Sequence, residues 1–413
     1  MVKIAVMGHG VVGSGVVEVF YKNRESIQKK ADCQMDIAHI LDLRDFPDSP
    51  YKEKFTKSFD DIINDDEVKI VVEVMGGVNP AYDFVKRCLL KGKSVATSNK
   101  ELVATKGAEL LKIAGETGTN FLFEASVGGG IPILRPLSQC LAANDIIEID
   151  GILNGTTNYI LTKMIKEQVA FSDALKNAQE LGYAERDPSA DIEGADACRK
   201  ICILASLSYG KHVYPDEVYT EGITKISLTD VAYAESMNSV IKLIGRSKKL
   251  KNGKVTATVY PAIISKDCQL ANVDDVYNAV CVKGDAIGDV VFYGKGAGKL
   301  PTASAVVADV IDCAKHIHAR KLINWEDRSD DYVEEYKNDV LSKYIRMTSN
   351  DIESLKNSLK QQFNDIQFLT LKDADENEIA FTTGELMEKV IDEKLSAVAD
   401  MGEIVSSIRI LNI

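Results

Sequence analysis

A doubly wound α/β fold is predicted for roughly the first third of this chain, followed by an α+β domain and a small βαββαβ module. Three observations predict it. Continuous Val/Ile-rich runs alternate with helical patterns over residues 1–125, a glycine turn follows the first run, and the texture changes after Ile146. Strands that are apolar on both faces are buried on both faces, which calls for βαβ crossovers and a parallel sheet.

The elements follow in order. "VKIAVMG" reads as a strand, Val11 to Lys29 as a helix, and "MDIAHIL" and "VKIVVEVMG" as further strands. A helix from Pro80 to Lys91, the strand "KSVATS", a helix from Glu101 to Thr117 and the strand "NFLFEA" complete the series. Beyond it, "IIEIDGILNGTTNYILTKM" reads as a longer strand pattern, and "KVTATVYPAIIS" and "NAVCVKGDAIGDVVFYG" alternate as an antiparallel or mixed sheet does. The helical stretch "TASAVVADVIDCAKHI" follows "GKGAGK" and is expected to return to the first domain. Residues 319–340 are polar and charged, as a linker or solvated helix would be. From "SKYIRMTS" to "SSIRILNI" the pattern is βαββαβ, of the ferredoxin-like type. The expected domains are 1–137 for a dinucleotide, with helix 300–318 packed back on it, 138–299 for substrate and dimerisation, a linker at 319–340, and a module at 341–413.

A chain of 413 residues exceeds one ordinary core. With 45% hydrophobic and 27% charged residues it has a globular composition, and a net charge of −13 argues against nucleic-acid binding. A small-molecule enzyme is favoured. No run approaches the roughly 18–20 apolar residues that span a bilayer, and no signal-peptide core precedes the first strand, so a cytoplasmic location is expected. The eight cysteines are scattered without a CxxC pair, which suits reduced thiols. Cys198 and Cys202 have no neighbouring His, which excludes an ordinary zinc site.

Gly8, Gly10 and Gly13 in "GHGVVG" satisfy GxGxxG between a strand and a helix, the setting of a Rossmann-type dinucleotide site. The first permits the tight turn, the second admits a pyrophosphate, and the third lets helix and strand pack closely. Phosphate then meets the amides and positive end of the helix. Asp42 in "HILDLRD" is the best match to the acid that grips the adenosine ribose and favours NAD, whereas Arg44 could receive a 2′-phosphate instead. Asp42 leans the choice to NAD. Both residues as solvated loop charges is the alternative.

The densest polar constellation is "LGYAERDPSADIEGADACRKICILASL". A helix from about Ala195, with Ala197, Ile201, Leu204 and Ala205 on its apolar face, puts Asp196 and Lys200 at i and i+4 on one side. An ordinary surface ion pair worth about 0.3–0.5 kcal/mol is the plain reading. Yet Glu185, Asp187, Asp191 and Glu193 crowd just upstream, and acids around one lysine suit a site that grips an ammonium and moves a proton.

With these residues in view, the chain resembles homoserine dehydrogenases along nearly its first 320 residues. The blocks that carry the likeness are "GHGVVGSGVV", "VVEVMGG", "ATSNKELVA", "FEASVGGGIPIL", "GILNGTTNYILTKM", "LGYAERDPSADIEGADACRK" and "GAGKLPTASAVVAD". The resemblance implies interconversion of aspartate semialdehyde and homoserine with NAD or NADP, on the route to threonine and methionine. It implies Lys200 as the acid/base, Asp196 positioning the substrate's polar end, Glu185 holding its ammonium, and Asp191 supporting. It puts Lys100 near the nicotinamide and the substrate oxygen, with Ser98 beside it. Val11, Val12, Gly76, Gly182 and Gly298 join the glycine loop as expected cofactor contacts. "EASVGGGI" resembles a monovalent cation site in which Val127, Gly129, Ile131 and Glu124 would hold sodium, with a hinge as the plainer reading. A homodimer or higher homo-oligomer is likewise implied.

The chemistry suits such residues. Hydride arriving at a carbonyl leaves an alkoxide, so a cation and a proton donor must lie within reach of that oxygen. The βαββαβ tail resembles an ACT domain, which can carry amino-acid feedback. Where those modules have an Asp-x-Pro-Gly turn, this chain has "RMTSNDIESL", which leaves threonine feedback and a degenerate dimerising or silent module both open. The rival functions are another amino-acid or semialdehyde dehydrogenase and a catalytically dead nucleotide sensor. Intact Glu185, Asp196 and Lys200 argue against the last.

Overall fold

The computed structural model describes residues 1–413 except 322, 324, 329, 330 and 373. The chain forms two compact units, Met1–Ile146 with Cys202–Pro215 and Lys283–Asp330, and Ile147–Ile201 with Asp216–Val282 and Asp331–Ile413.

The N-terminal series runs β1 (Val2–Met7), α1 (Val11–Lys22), α2 (Arg24–Ala31), β2 (Met35–Leu41), β3 (Phe55–Thr56), α3 (Asp60–Ile63) and β4 (Val68–Glu73). It continues with α4 (Ala81–Leu90), β5 (Ser94–Thr97), α5 (Lys100–Thr117) and β6 (Phe121–Leu122). All six strands are parallel, in the order β3-β2-β1-β4-β5-β6. Order reverses between β1 and β4, where doubly wound sheets open a crevice beyond the strand ends. Ala5–Met7 and Ile70–Val72 are completely buried, as strands covered on both faces must be. The helix expected over Val11–Lys29 is two helices, because Asn23 leaves helical geometry at φ −110° and ψ 19°.

Next come β7 (Ile146–Ile152), α6 (Gly155–Glu167), α7 (Phe171–Glu180), α8 (Ser189–Ile192), α9 (Ala195–Tyr209), β8 (Tyr219–Thr220) and α10 (Leu228–Ser236). They are followed by β9 (Ser239–Lys249), β10 (Val255–Ser265), β11 (Tyr277–Gly284), β12 (Gly288–Lys295) and α11 (Lys299–Lys315). The long strand expected from Ile146 stops at Ile152 and becomes α6, because the Asn154 side chain accepts from Thr157 N and caps a helix there.

The tail is β13 (Val340–Thr348), α12 (Ile352–Gln362), β14 (Ile366–Leu369), β15 (Glu378–Thr383), β16 (Leu386–Met387), α13 (Glu388–Ser396) and β17 (Glu403–Leu411). Its main strands are antiparallel in the order β17-β13-β15-β14, the split βαβ plan, over a core that includes Ile345, Leu359, Phe363, Phe381 and Ile391. This sheet does not stop at the tail. β17 pairs parallel with β10 at Ala262–Arg409 through Ile264–Leu411, so the second unit's order is β11-β7-β9-β10-β17-β13-β15-β14.

In the first unit α11 packs on α1, where a Cβ on Gly15 would lie 2.8 Å from Lys299 O, and Lys299 Nζ donates to Glu18 at 2.7 Å. The expected linker or solvated helix over 319–340 contains buried Ile323, Trp325, Tyr332 and Val333 and, among its described residues, one short helical turn, Tyr336–Asn338; its residues 322, 324, 329 and 330 lie outside the described set. Trp325 Nε1 donates to His212 Nδ1 at 2.9 Å, and Ala108 N donates to the same nitrogen at 3.3 Å. Nδ1 is therefore the acceptor, and Nε2 donates to Ala104 O at 2.8 Å.

Burial pushes His212 below its ordinary 6.5. The unfolded chain then takes up a proton at higher pH than the folded one, so this contribution to stability is complete above 6.5 and lost as pH falls below it. Urea unfolding followed by the fluorescence of Trp325, the single tryptophan, will show stability rising with pH through the window just below 6.5, and His212→Gln will flatten that slope.

Candidate functional site

The glycine loop has the geometry its sequence asks for. Gly8 sits at φ +97°, donates its amide to Leu41 O at 2.8 Å, and leaves only 3.0 Å between an added Cβ and Val74 O. A Cβ on Gly13 would lie 1.9 Å from Gly8 O, so the start of α1 rests directly on the turn. Around Gly10 an added Cβ meets nothing within 4 Å, and the α1 N-terminus has no side-chain cap. An anion can approach those amides. Val11 is exposed and Val12 partly so beside them.

Asp42 lies next to this loop, but it is not a bare ribose acceptor. Its carboxylate accepts His9 N at 2.8 Å, Arg44 N at 3.0 Å, Arg44 Nε at 2.9 Å and Arg44 Nη2 at 2.9 Å. The Arg44 guanidinium holds the carboxyl far below the usual range. The expectation of an Asp42 that repels a 2′-phosphate is thereby weakened, because its charge is already met by Arg44.

At the ends of β4 and β5 a buried carboxylate, missed in the sequence, orders two loops. Glu73 accepts Thr97 Oγ1 at 2.6 Å and Met75 N at 2.8 Å, and burial pushes its carboxyl up. Asn99 caps α5 by accepting Leu102 N and donates to Gly77 O at 2.6 Å. Gly76 at φ +80°, Ser98 and Lys100, the first residue of α5, are carried on these loops. An acid inside the apolar run "VVEVMGG" was the available signal. Gly298, at φ +124°, precedes the α11 helix that packs on α1.

The Glu124 turn is closed by hydrogen bonds. Glu124 Oε1 accepts Ile133 N at 2.7 Å and Leu134 N at 3.0 Å, Oε2 accepts Arg135 N at 2.7 Å, and Asp309 accepts Glu124 N at 2.8 Å and Arg135 Nη2 at 2.6 Å. Its carboxylate is thus committed to backbone amides. Between those ends, Gly128 and Gly129 are both left-handed, and a Cβ on Gly129 would lie 2.4 Å from Gly296 O. The carbonyls of Val127, Gly129 and Ile131 belong to this turn.

In the second unit, Asp196 and Lys200 are one turn apart on α9 and 4% and 6% exposed. That removes the surface-pair reading. Lys200 Nζ donates to Asp196 Oδ2 at 2.6 Å and to Leu153 O at 2.7 Å. Asn154 Nδ2 donates to Asp196 Oδ2 at 2.9 Å and to Asp191 Oδ1 at 2.6 Å. Because Thr157 N must donate to the other face of that amide, at 2.9 Å, the assignment of Oδ1 and Nδ2 is fixed. Leu153 and Asn154, in "GILNGTTN", are residues holding this pair that sequence reasoning missed. Glu185 and Gly182 lie on the exposed loop before α8, where Gln179 Nε2 holds Glu185 O at 3.1 Å. Asp187 accepts Ser189 N and Oγ and belongs to the turn itself. A buried lysine that donates to a carboxylate and to a backbone carbonyl is a cation held in place, suited to meet an oxygen that gains charge.

A family model described as "Homoserine dehydrogenase" matches residues 132–311, and one described as "Homoserine dehydrogenase, NAD binding domain" matches residues 8–124. A homoserine dehydrogenase of Synechocystis is 45% identical over 75% of this chain and 73% of its own length. The chain belongs to the homoserine dehydrogenase family. The Bacillus subtilis homoserine dehydrogenase is 40% identical over 76% of this chain and 73% of its own. Among solved structures, a homoserine dehydrogenase from Thiobacillus denitrificans aligns with a TM-score of 0.90 at 33% identity, covering 100% of this chain and 98% of that one. A hyperthermophilic archaeal homoserine dehydrogenase in complex with NADPH aligns at 0.64 with 30% identity, covering 76% and 97%. As a homoserine dehydrogenase the chain is an oxidoreductase with an NAD(P)-binding domain, and the rival functions lose their ground. No helix among the described residues is long and apolar enough to cross a membrane.

Proposed function

We propose that this homoserine dehydrogenase interconverts L-homoserine and L-aspartate 4-semialdehyde with Lys200 as the acid/base. The observation that carries the reading is the buried Asp196–Lys200 pair held by Leu153 O and Asn154. Asp196 keeps the Lys200 ammonium oriented and, with Asp191 and Glu185, supplies negative charge for the substrate ammonium. Lys200 delivers a proton to the aldehyde oxygen in reduction and removes it from the hydroxyl in oxidation. Lys100, with Ser98 beside it, supplies a second cation for the oxygen. The nicotinamide, when bound, donates or accepts the hydride.

The open approach at Gly10 and the uncapped amides of α1 fit a dinucleotide pyrophosphate, with Val11, Val12, Gly13, Gly76, Gly182 and Gly298 as further contacts. The Asp42–Arg44 fork supports NADP as a cofactor alongside NAD, since a neutralised Asp42 no longer repels a 2′-phosphate. Sodium would fit the carbonyls of Val127, Gly129 and Ile131, with the Glu124 carboxylate holding the turn rather than the ion. We read residues 1–137 with the returning helix 300–318 as the dinucleotide domain, 138–299 as the substrate and homodimerisation domain, and 341–413 as an ACT-like module. The experiment is an absorbance assay of homoserine oxidation with NADP and with NAD. Reduced cofactor will accumulate with both, and Arg44→Ala will raise KM for NADP more than for NAD; no reduction with either removes the proposal.

A further inference from the structure

The acid loop of the proposed site is docked on a strand that the tail holds. Glu221 lies just after β8, which pairs with β10 at Tyr219–Thr258 and Thr220–Val259. The next residue, Gly222, has no clearance: a Cβ there would lie 2.1 Å from Ile192 O and 2.5 Å from Glu193 Cα, and Ile223 N donates to Ile192 O at 2.8 Å. On the other side of the same contact, Gly194 at φ +87° leaves 3.0 Å between an added Cβ and Thr220 Cγ2. The turn Ile192–Gly194 connects Asp191 to Asp196, so backbone-to-backbone packing against residues 220–223 sets where both carboxylates stand.

Two donors hold Glu221 Oε2, the Tyr219 hydroxyl at 3.0 Å and Arg409, near the end of β17. Its Nη1 donates to Glu221 Oε2 at 2.9 Å, while Nε and Nη2 grip Glu388 at 3.0 and 2.6 Å. The guanidinium lies over the rings of Tyr219 and Tyr260, at 4.7 and 4.4 Å, and is 4% exposed. Arg409 is also the first residue of β17 to pair with β10. A planar, permanently charged fork locked on one carboxylate and stacked on two rings has little freedom left, and it presents its remaining edge to Glu221.

We propose that Arg409 is a positioning residue for the substrate-ammonium loop, acting through Glu221 and Gly222 on Asp191 and Asp196. The tail strand therefore completes the support of the site, and removing or shifting it displaces the acids. This rests on the homoserine dehydrogenase reading.

The test uses the full chain with Glu221→Gln, Arg409→Lys and the double variant. KM for homoserine and kcat are measured by absorbance, the dissociation constant of NADPH by its fluorescence, and thermal melting monitors the fold. Expected are a rise in KM for homoserine of about tenfold in each single variant, the scale on which small misplacements act, with NADPH affinity kept within a factor of about two and a double variant no worse than the worse single. An unchanged KM in Glu221→Gln overturns the proposal, as does a loss of NADPH affinity in parallel with KM, which would mark general loosening. Should Arg409→Lys fail to fold, Glu221→Gln, whose side chain is 30% exposed, decides alone. A wild-type chain inactive on homoserine would instead remove the underlying reading.

Discussion

Lys200→Ala lowers homoserine oxidation by about 10²- to 10⁴-fold, the range of a lost general acid/base, while the dissociation constant of NADPH stays nearly unchanged. Two effects combine in this variant. The chemical step loses its proton carrier, and Asp196 loses the ammonium that meets its buried charge at 2.6 Å. Breaking a buried pair by removing one partner costs about 3–5 kcal/mol, far above an exposed i,i+4 pair. Denaturant unfolding will therefore show lower stability as well as lower turnover. Lys200→Arg separates the effects, since its guanidinium keeps a positive charge beside Asp196 but does not give up a proton. If Lys200→Arg recovers stability and not turnover, the acid/base role stands. Recovery of both, or wild-type turnover in either variant, would refute it.

The division between what the sequence disclosed and what it hid follows the range of the forces involved. Gly8, Gly10 and Gly13 were legible because a tight turn, an open backbone and a helix resting 1.9 Å from a carbonyl each admit one residue type. Asp196 and Lys200 were legible as a pair because helical spacing is local, but their burial was not, since it depends on Leu153 and Asn154, 47 and 42 residues away. The Asp42–Arg44 fork joins residues two positions apart, yet two rotamers decide whether the arginine faces a ligand or its own neighbour. Pairing of β17 with β10 was invisible for a different reason: both strands carry ordinary apolar patterns, and nothing in either specifies the partner. The charged residues of the tail, Arg346 and Arg409, drew no reading from the sequence, and they are buried against Asp230, Glu378, Glu388 and Glu221. Charge alone does not predict exposure when a partner of opposite sign waits on a distant element.

Asn154 is where these threads meet, and it supports the second large prediction. One amide does two jobs there: Oδ1 caps α6 through Thr157 N, and Nδ2 joins Asp191 to Asp196. Asn154→Ser keeps an N-cap acceptor and removes the bridge, so α6 persists while the two carboxylates lose the donor they share. Hydrogen bonds to charged groups contribute about 1.5–3 kcal/mol each, which corresponds to a fall in kcat/KM for homoserine of at least about tenfold. Asn154→Asp is the sharper variant, because aspartate caps a helix as well as asparagine does but turns the donor into a third negative charge beside Lys200. It will lower kcat/KM well beyond Asn154→Ser, with a melting temperature that falls as the buried like charges accumulate. Equal kinetics in the two variants would mean that the amide does not donate to the acids, and the arrangement of Asp191, Asp196 and Lys200 would have to rest on something other than this residue.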